Sequence, residues 1–161
     1  MAMLESTRQT LNRQPYRATG DGSRGRATLL TGCVMDGLFL ETNRATERTL
    51  VANDYAVVST RGQSCCGALH AHAGDADAAR ALARRNIVAF GKTSADYIVV
   101  NAAGCGEMLK HYGQLLPDDP RATLVRAATR TLAELLAETP GWLPPHLDGV
   151  SVVAQPHCHQ H

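Results

Sequence analysis

Apolar and polar positions along the chain form blocks that predict strands separated by helices. A short continuous apolar run is typical of a buried strand, whereas apolar residues spaced three and four positions apart are typical of one face of a helix. The predicted strands are residues 27–31, 55–59, 97–101 and 150–154. The predicted helices are residues 41–53, 75–90, 106–116 and 120–137. The pattern as a whole indicates an α/β domain.

The order of these elements indicates how they pack. Uniformly apolar strands that alternate with helices favour a parallel sheet with right-handed crossovers and with helices on both faces. The helix at 75–90 should bury one face, which is made of Ala79, Leu82, Ala83, Ile87 and Phe90. The helix at 120–137 should bury another, made of Leu124, Ala128, Thr131, Leu132 and Leu135. Asp119 can cap this second helix by accepting a hydrogen bond from a free backbone N–H. Pro120 is favourable at the first helical position. We therefore expect a Rossmann-like three-layer α/β domain with a parallel sheet flanked by helices.

The composition changes along the chain and suggests three parts. Residues 1–26 hold few large apolar side chains and cannot offset the entropy lost on ordering, so we expect a flexible leader. Its Gly20, Gly22 and Gly25 spell G-x-G-x-x-G, but a dinucleotide-binding loop must follow a strand, and these glycines precede the first one. Residues 27–138 form the expected domain. Residues 139–161 begin as a proline-rich linker and end soon after the last predicted strand, so we expect a cut terminus.

Charge and composition exclude several classes of protein. Sixteen Lys and Arg residues against fifteen Asp and Glu leave a formal charge of +1, which predicts no charge-driven binding to nucleic acid. No apolar run is long enough for a signal peptide or a membrane span, so we expect a soluble cytoplasmic protein. In a reducing cytoplasm, five cysteines are better explained as metal ligands or redox thiols than as a disulfide framework.

The cysteines follow the predicted strands. Cys33 follows the first strand, the adjacent pair Cys65 and Cys66 follows the second, Cys105 follows the third and Cys158 follows the last. Because the carboxyl ends of parallel strands share one edge of a sheet, these thiols should meet there. Four glycines stand beside them and allow loops with positive φ angles: Gly32, Gly67, Gly104 and Gly106.

Several kinds of chemistry fit four thiols at one edge. A [4Fe–4S] cluster has several irons and can use an adjacent pair of cysteines with diverging side chains. A single zinc ion usually takes its ligands as C-x₂₋₄-C pairs, which the sequence lacks, although zinc stays open. Thiol redox chemistry and inert buried thiols are further alternatives. The histidines near these cysteines, which are His70, His72, His157, His159 and His161, are interpreted as solvated groups or adventitious metal binders.

Three stretches around the cysteines carry a family resemblance: Thr31-Gly32-Cys33-Val34-Met35, Gly62-Gln63-Ser64-Cys65-Cys66-Gly67-Ala68-Leu69 and Asn101-Ala102-Ala103-Gly104-Cys105-Gly106. They resemble the cysteine-rich "CCG" domain family, and within it the iron–sulfur subunits of the glycolate oxidase type. Two further stretches are similar to the same subunits: His70-Ala71-His72-Ala73-Gly74 and Met108-Leu109-Lys110-His111-Tyr112-Gly113. The resemblance covers about residues 27 to 161.

The resemblance implies a site and a function. Residue by residue, it places Cys33, Cys65, Cys66 and Cys105 as the ligands of a [4Fe–4S] cluster. It implies an electron-transfer subunit, without catalytic residues of its own, that relays electrons from flavin towards a quinone in a 2-hydroxy-acid oxidase. The implied partners are a flavin-containing oxidase subunit and other iron–sulfur domains. The implied location is the cytoplasm, with peripheral association of the complex at the inner face of the membrane.

The sequence also departs from the family pattern. Met108 stands where some relatives have a fifth cysteine, so a five-thiolate cluster is not expected. Family subunits generally begin with two ferredoxin segments and end with a second cysteine-rich domain. Residues 156–159 look like the opening of that second copy, which suggests a truncated or split gene. The alternative function is therefore a zinc-stabilised or metal-free interaction module, a remnant of such a subunit.

Overall fold

In the part of the chain that the structure describes, the sheet has four strands, all of them parallel. A computed structural model describes residues 21–142, 149 and 151. The strands are β1 (Arg26–Leu29), β2 (Ala56–Val57), β3 (Tyr97–Val100) and β4 (Thr129–Thr131), and their order in the sheet is β2-β1-β3-β4. All three neighbouring pairs are parallel. The predicted parallel α/β fold is thereby confirmed.

Eight helices connect the strands in the described part of the chain. They are α1 (Val34–Leu38), α2 (Leu40–Ala52), α3 (Ala68–His72), α4 (Ala76–Phe90), α5 (Ala103–Lys110), α6 (Tyr112–Leu115), α7 (Arg121–Ala128) and α8 (Leu132–Ala137). The α4 helix begins where Asp75 accepts a hydrogen bond from the backbone N–H of Ala78, at 3.0 Å. This cap satisfies a backbone donor at the start of the longest helix.

Successive side chains along the strands point to opposite faces of the sheet, and the apolar core accordingly forms two clusters, one on each face. Ile98 and Val100 of β3 face the larger cluster, whereas Val99 faces the smaller one. Helices α4, α5 and α7 supply the larger cluster, and Leu50 of α2 and Leu135 of α8 pack in the smaller one. Because successive strand residues point to opposite faces, the sheet lies between two helix layers. The three-layer prediction is confirmed.

The strand order creates a natural binding edge. The chain moves outwards from β1 to β2, then returns past β1 to β3 and continues outwards to β4. The direction of the connections therefore reverses between β1 and β3, where loops leave in opposite directions beyond the carboxyl ends of the strands. Open α/β sheets bind ligands in the crevice at such a point. Cys33 follows β1 and Cys105 follows β3, so both lie at this edge.

The single helix predicted at 120–137 is wrong. The helix α7 ends at Ala128, the chain forms β4, and α8 begins after Thr131. The β4 strand completes the sheet by pairing with Ile98, Val99 and Val100 of β3. Thr131 caps α8 in a capping box with Glu134. Of the expected apolar face, Leu124 is 68% exposed and Val125 is buried instead, whereas Leu135 is buried and Ala128 and Leu132 pack against the core clusters.

Other element boundaries differ in smaller ways. The short helices α1 and α3, which follow Cys33 and Cys66, are not apparent in the sequence pattern. The helix predicted at 106–116 begins earlier, at Ala103, and is divided at His111, so Cys105 lies in the first turn of α5. Gly22 and Gly25 lie before β1, as expected. The strand predicted at 150–154, apart from Ser151, and the cysteine and histidines of the tail lie outside the described residues. No helix among the described residues is long and apolar enough to cross a membrane.

Candidate metal centre

The four thiols expected at the sheet edge lie together as two close pairs. The Sγ atoms of Cys33 and Cys65 are 3.2 Å apart, and those of Cys66 and Cys105 are 3.1 Å apart. Cys33 and Cys66 donate these thiol hydrogen bonds. Each pair joins two different loops, so the adjacent residues Cys65 and Cys66 bond in different directions. Cys33 is exposed and Cys66 is buried, so the group extends from the surface inwards.

The thiols influence one another's protonation. The hydrogen bond that Cys33 donates to Cys65, together with burial and the charge of Cys65, raises the pKa of Cys33. The bond to Cys105 and burial likewise raise the pKa of Cys66. The same bond from Cys66 lowers the pKa of Cys105, in spite of burial and of the charges of Cys33 and Cys65. Protonation of Cys33, Cys66 and Cys105 therefore depends on the neighbouring thiols.

Backbone N–H groups also point at the sulfurs. The N–H of Val34, at the start of α1, bonds to Cys33 and favours its thiolate. The N–H of Ala68, at the start of α3, does the same for Cys66. Gly67 precedes Ala68 with a φ angle of +91°, which an L-residue with a side chain rarely adopts. Both short helices thus begin directly beside a cysteine and present amides to it.

Only two of the four glycines beside the cysteines use positive φ angles, which are Gly32 and Gly67. Gly106 serves a different purpose. A Cβ atom at Gly106 would lie 2.9 Å from Cγ2 of Val100, so the missing side chain lets α5 approach β3 closely. This approach places the first turn of α5, and with it Cys105, against the end of the sheet.

A buried amide side chain holds the loop with the cysteine pair. Asn86 of α4 accepts a hydrogen bond from the N–H of Ser64 at 2.8 Å and donates one to the carbonyl oxygen of Cys65 at 2.9 Å. It also donates to the hydroxyl of Tyr112 at 3.0 Å, and this hydroxyl donates to the carbonyl oxygen of Cys66 at 2.8 Å. Both side chains are fully buried. The backbone of the pair is therefore fixed from two helices.

Further neutral side chains join the other loops. Gln63 accepts a bond from the N–H of Thr31 at 3.0 Å and donates to the carbonyl oxygen of Leu29 at 3.0 Å, so it ties the loop after β2 to β1. Asn43 of α2 donates to the carbonyl oxygen of Thr31 at 3.1 Å and accepts a bond from Asn101 at 2.9 Å. The three loops that carry cysteines are thereby linked through amide groups.

These linking residues are not among the site residues that the sequence predicts. One signal was present, because Asn86 lies on the same helix face as Ala79, Ala83 and Ile87, and a polar residue on an apolar stripe indicates a buried hydrogen-bond network. Tyr112, Asn43 and Asn101 carry no comparable signal. Their partners come from distant parts of the chain.

The donor set suits a metal–sulfur cofactor. Thiolates are the ligands that iron–sulfur clusters use, and thiols bind metals after losing their protons. Binding would replace the two S–H···S bonds by metal–thiolate bonds. Within the part of the chain that the structure describes, no three His, Cys, Asp or Glu side chains surround a single ion-sized space. Four thiols on three converging loops fit a cofactor that several sulfurs bind.

Two histidines follow the cysteine pair in α3, His70 and His72. Nδ1 of His70 is buried and has no hydrogen-bond partner among the described residues. His72 lies with Glu107 and His111 around a cavity of about 220 Å³ beside α3 and α5. Nδ1 of His111, the residue that follows α5, lies 3.0 Å from Oε1 of Glu107.

Comparison with known proteins finds relatives that include two iron-sulfur subunits. It is 43% identical over 95 residues to the probable glycolate oxidase iron-sulfur subunit of Bacillus subtilis, a match that covers 59% of the chain and 21% of that protein. It is 35% identical over 122 residues to the glycolate oxidase iron-sulfur subunit of Escherichia coli, with 71% and 30% covered. Lactate utilization protein A of an Exiguobacterium species is 29% identical over 114 residues, with 68% and 46% covered.

The chain therefore spans less than half the length of these relatives. No solved structure matches it. The family model described as "Cysteine-rich domain", abbreviated CCG, matches residues 27–110, which include all four clustered thiols and the three loops that carry them. The chain belongs to the CCG cysteine-rich domain family.

Proposed function

We propose that the chain is an iron–sulfur electron-transfer domain in which Cys33, Cys65, Cys66 and Cys105 hold a [4Fe–4S] cluster. The observation that carries the proposal is the meeting of four thiols from three loops at the carboxyl edge of the sheet, with Sγ–Sγ distances of 3.2 and 3.1 Å. Four thiolates complete the ligand set of such a cluster. When bound, the cluster accepts and releases single electrons.

The relatives support a place for this domain in a larger assembly. Two of them are named as glycolate oxidase iron-sulfur subunits and others as lactate utilization proteins. In the proposed assembly, a flavin-containing subunit oxidises a 2-hydroxy acid and the electrons continue towards a quinone. Other iron–sulfur domains complete the relay. The assembly works in the cytoplasm, with peripheral attachment to the inner face of the membrane.

The described residues give this domain a binding and tuning role. The N–H groups of Val34 and Ala68 stabilise negative charge on the sulfurs of Cys33 and Cys66. Hydrogen bonds to sulfur, together with burial, are the means by which a protein sets the reduction potential of such a centre. The buried position of Cys66 limits access of solvent. No residue of the chain is assigned a catalytic role.

The first experiment is elemental. The full chain is purified without oxygen, reconstituted with iron and sulfide, and analysed for iron, sulfide and zinc. The proposal predicts about four irons and about four sulfides per chain, with a broad visible absorption band that bleaches on reduction. Colourless protein that contains zinc, or no metal, after reconstitution contradicts the proposal and favours an interaction module.

The two thiol pairs favour a second candidate, a thiol–disulfide redox module. Adjacent cysteines such as Cys65 and Cys66 rarely form a disulfide with each other. The structure instead brings together residues from different loops, Cys33 with Cys65 and Cys66 with Cys105. Each pair would give two electrons and two protons to an oxidised thiol compound and form one disulfide. The test is alkylation after exposure to oxidised glutathione. Four freely alkylated thiols remove this candidate.

A further inference from the structure

The peptide units of the cysteine pair are held by a closed hydrogen-bond network. Asn86 binds the N–H of Ser64 and the carbonyl oxygen of Cys65, and Tyr112 binds the carbonyl oxygen of Cys66. Asn86 and Tyr112 also bond to each other at 3.0 Å. Three consecutive residues of the loop are thus bound through their backbone by two side chains that are 0% exposed.

The network has one consistent orientation. A backbone N–H can only donate, so the N–H of Ser64 must face Oδ1 of Asn86, and the carbonyl oxygen of Cys65 must face Nδ2. The second hydrogen on Nδ2 goes to the hydroxyl of Tyr112, whose own hydrogen is then directed to Cys66. Every donor and acceptor in this buried network has a partner, which makes it rigid.

Two adjacent cysteines need such control. Their side chains diverge, and their sulfurs reach different partners, since Cys65 meets Cys33 whereas Cys66 meets Cys105. The direction of each Cα–Cβ bond depends on the orientation of the flanking peptide planes. The carbonyl oxygens of both residues are the groups that Asn86 and Tyr112 bind. Fixing these two oxygens therefore holds both peptide planes that flank Cys66 and one of the two that flank Cys65, which restricts the directions of their Cα–Cβ bonds.

We propose that Asn86 and Tyr112 are positioning residues that orient Cys65 and Cys66 for cofactor binding. The cofactor part of this inference rests on the proposed iron–sulfur function, whereas the orientation of the thiols does not. Without the two bonds, the carbonyl oxygens would be free to turn towards the sulfurs, where their negative ends would repel thiolates. The bonds from Asn86 and Tyr112 keep these oxygens directed towards α4 and α6, while the N–H of Ala68 bonds to Cys66.

The test compares two substitutions of buried tyrosine. Tyr112→Phe keeps the ring and removes the hydroxyl that binds Cys66. Tyr55→Phe is the matched control, because the Tyr55 hydroxyl is also buried and bonds to Thr139 at 2.7 Å. Tyr55 precedes β2 and lies in the other core cluster, at the end of the strand opposite the cysteines. Urea unfolding of both variants measures their general loss of stability.

Two readouts separate the outcomes. In the reduced chain without metal, Tyr112→Phe should speed alkylation of Cys66 about tenfold, since a buried carbonyl group left without its donor destabilises the local structure. In the reconstituted chain, it should speed loss of iron to a chelator by a similar factor and shift the midpoint potential. Tyr55→Phe should stay within about twofold of the natural chain in each measurement, because its lost bond does not touch the loop.

The results distinguish this inference from the proposed function. If both variants behave alike, at equal loss of stability, the positioning role is overturned. If the natural chain holds iron and Tyr112→Phe matches it in alkylation, iron loss and potential, the positioning role is overturned and the iron–sulfur function stands. If the chain takes up no iron but only Tyr112→Phe speeds alkylation of Cys66, positioning of the thiol is supported and the iron–sulfur function fails. Asn86→Leu, which has a similar shape without polar atoms, provides a second variant should Tyr112→Phe not fold.

Discussion

Single neutral side chains anchor each loop that carries a cysteine. Gln63, Asn86 and Asn43 each have both a donor and an acceptor in one amide, and each uses both. An amide can hold a backbone N–H and a carbonyl oxygen at once without adding charge beside the thiols. Anchors of this kind leave the charge of the centre to the sulfurs and to the bound cofactor.

The convergence of the cysteines could be predicted from the sequence, but the hydrogen-bond partners of their anchors could not. Cys33, Cys65 and Cys105 follow successive strands, and parallel strands end at one edge, so local reasoning brings their loops together. The bond between Asn86 and Tyr112 joins residues from α4 and α6, and no local pattern indicates it. The role of the four thiols as ligands remains a prediction.

Gly67 combines a positive φ angle with close packing, and its substitution is therefore expected to disturb the fold and the site. Its φ angle is +91°, and a Cβ atom there would lie 3.3 Å from the carbonyl oxygen of Ala79. Gly67→Ala should therefore lower the free energy of unfolding by more than the roughly 1–2 kcal/mol that positive φ alone costs, because it adds a steric conflict. It should also reduce iron uptake, since Gly67 directly follows Cys66. Urea unfolding and iron analysis measure the two effects.

The control for this substitution is Gly74→Ala. Gly74 has a φ angle of +83°, but a Cβ atom there would meet nothing within 4 Å. It should lose only the conformational part, about 1–2 kcal/mol, and keep its iron. Equal losses in stability and iron for both variants would show that close packing at Gly67 has no part in shaping the site.

The elements of the fold differ in how far local sequence determines them. Residues 27–29 of β1 and 98–100 of β3 are buried on both faces of the sheet, and the apolar residues in and beside these strands give a clear sequence signal. The strand β4, which reads Thr129-Arg130-Thr131, has no apolar residue, and it forms because β3 offers an unpaired edge. Tertiary pairing thus overrides a helical pattern at this position. The spacing of Thr131 and Glu134 is a capping-box signal that marks the start of α8.

Glu134, in the first turn of α8, forms an ion pair with Lys110 that should make stability depend on pH. Its burial acts to raise its pKa, but the Lys110 ammonium and the N–H of Thr131 outweigh burial, so the pKa of Glu134 is lowered. A lowered pKa in the folded state stabilises the fold above the pKa of the unfolded chain, and this contribution disappears as the pH falls through the folded value. Glu134→Gln should therefore cost up to about 1 kcal/mol at pH 7, since the pair is partly exposed.

Urea unfolding at several pH values measures this effect. The difference between the natural chain and Glu134→Gln should shrink as the pH falls below about 4, where the unfolded carboxyl group is protonated. Asp77→Asn is the control, because the Asp77 side chain is 96% exposed in its pair with Arg80 and should contribute little. A difference for Glu134→Gln that stays constant from pH 7 to pH 3 would contradict the role of the charged pair.

The described part of the chain places four thiols at one edge of the parallel sheet. The reversal of connections between β1 and β3 opens a crevice at that edge, and three loops bring their thiols to it. Cys33 at the outer side is exposed, so the edge meets solvent or a neighbouring domain. Because the chain covers 21% and 30% of two glycolate oxidase iron-sulfur subunits, the proposed relay depends on further domains that such proteins contain.

The most direct test of the central claim is the iron content of five cysteine variants. Cys33→Ser, Cys65→Ser, Cys66→Ser and Cys105→Ser are each reconstituted without oxygen beside Cys158→Ser, which changes the remaining cysteine. If the four thiols are the ligands, each of the first four variants should lose most of its iron and its visible absorption band. Cys158→Ser should keep the iron content of the natural chain. Full iron in any of the first four, or an equal loss in Cys158→Ser, would contradict the assignment of the four ligands.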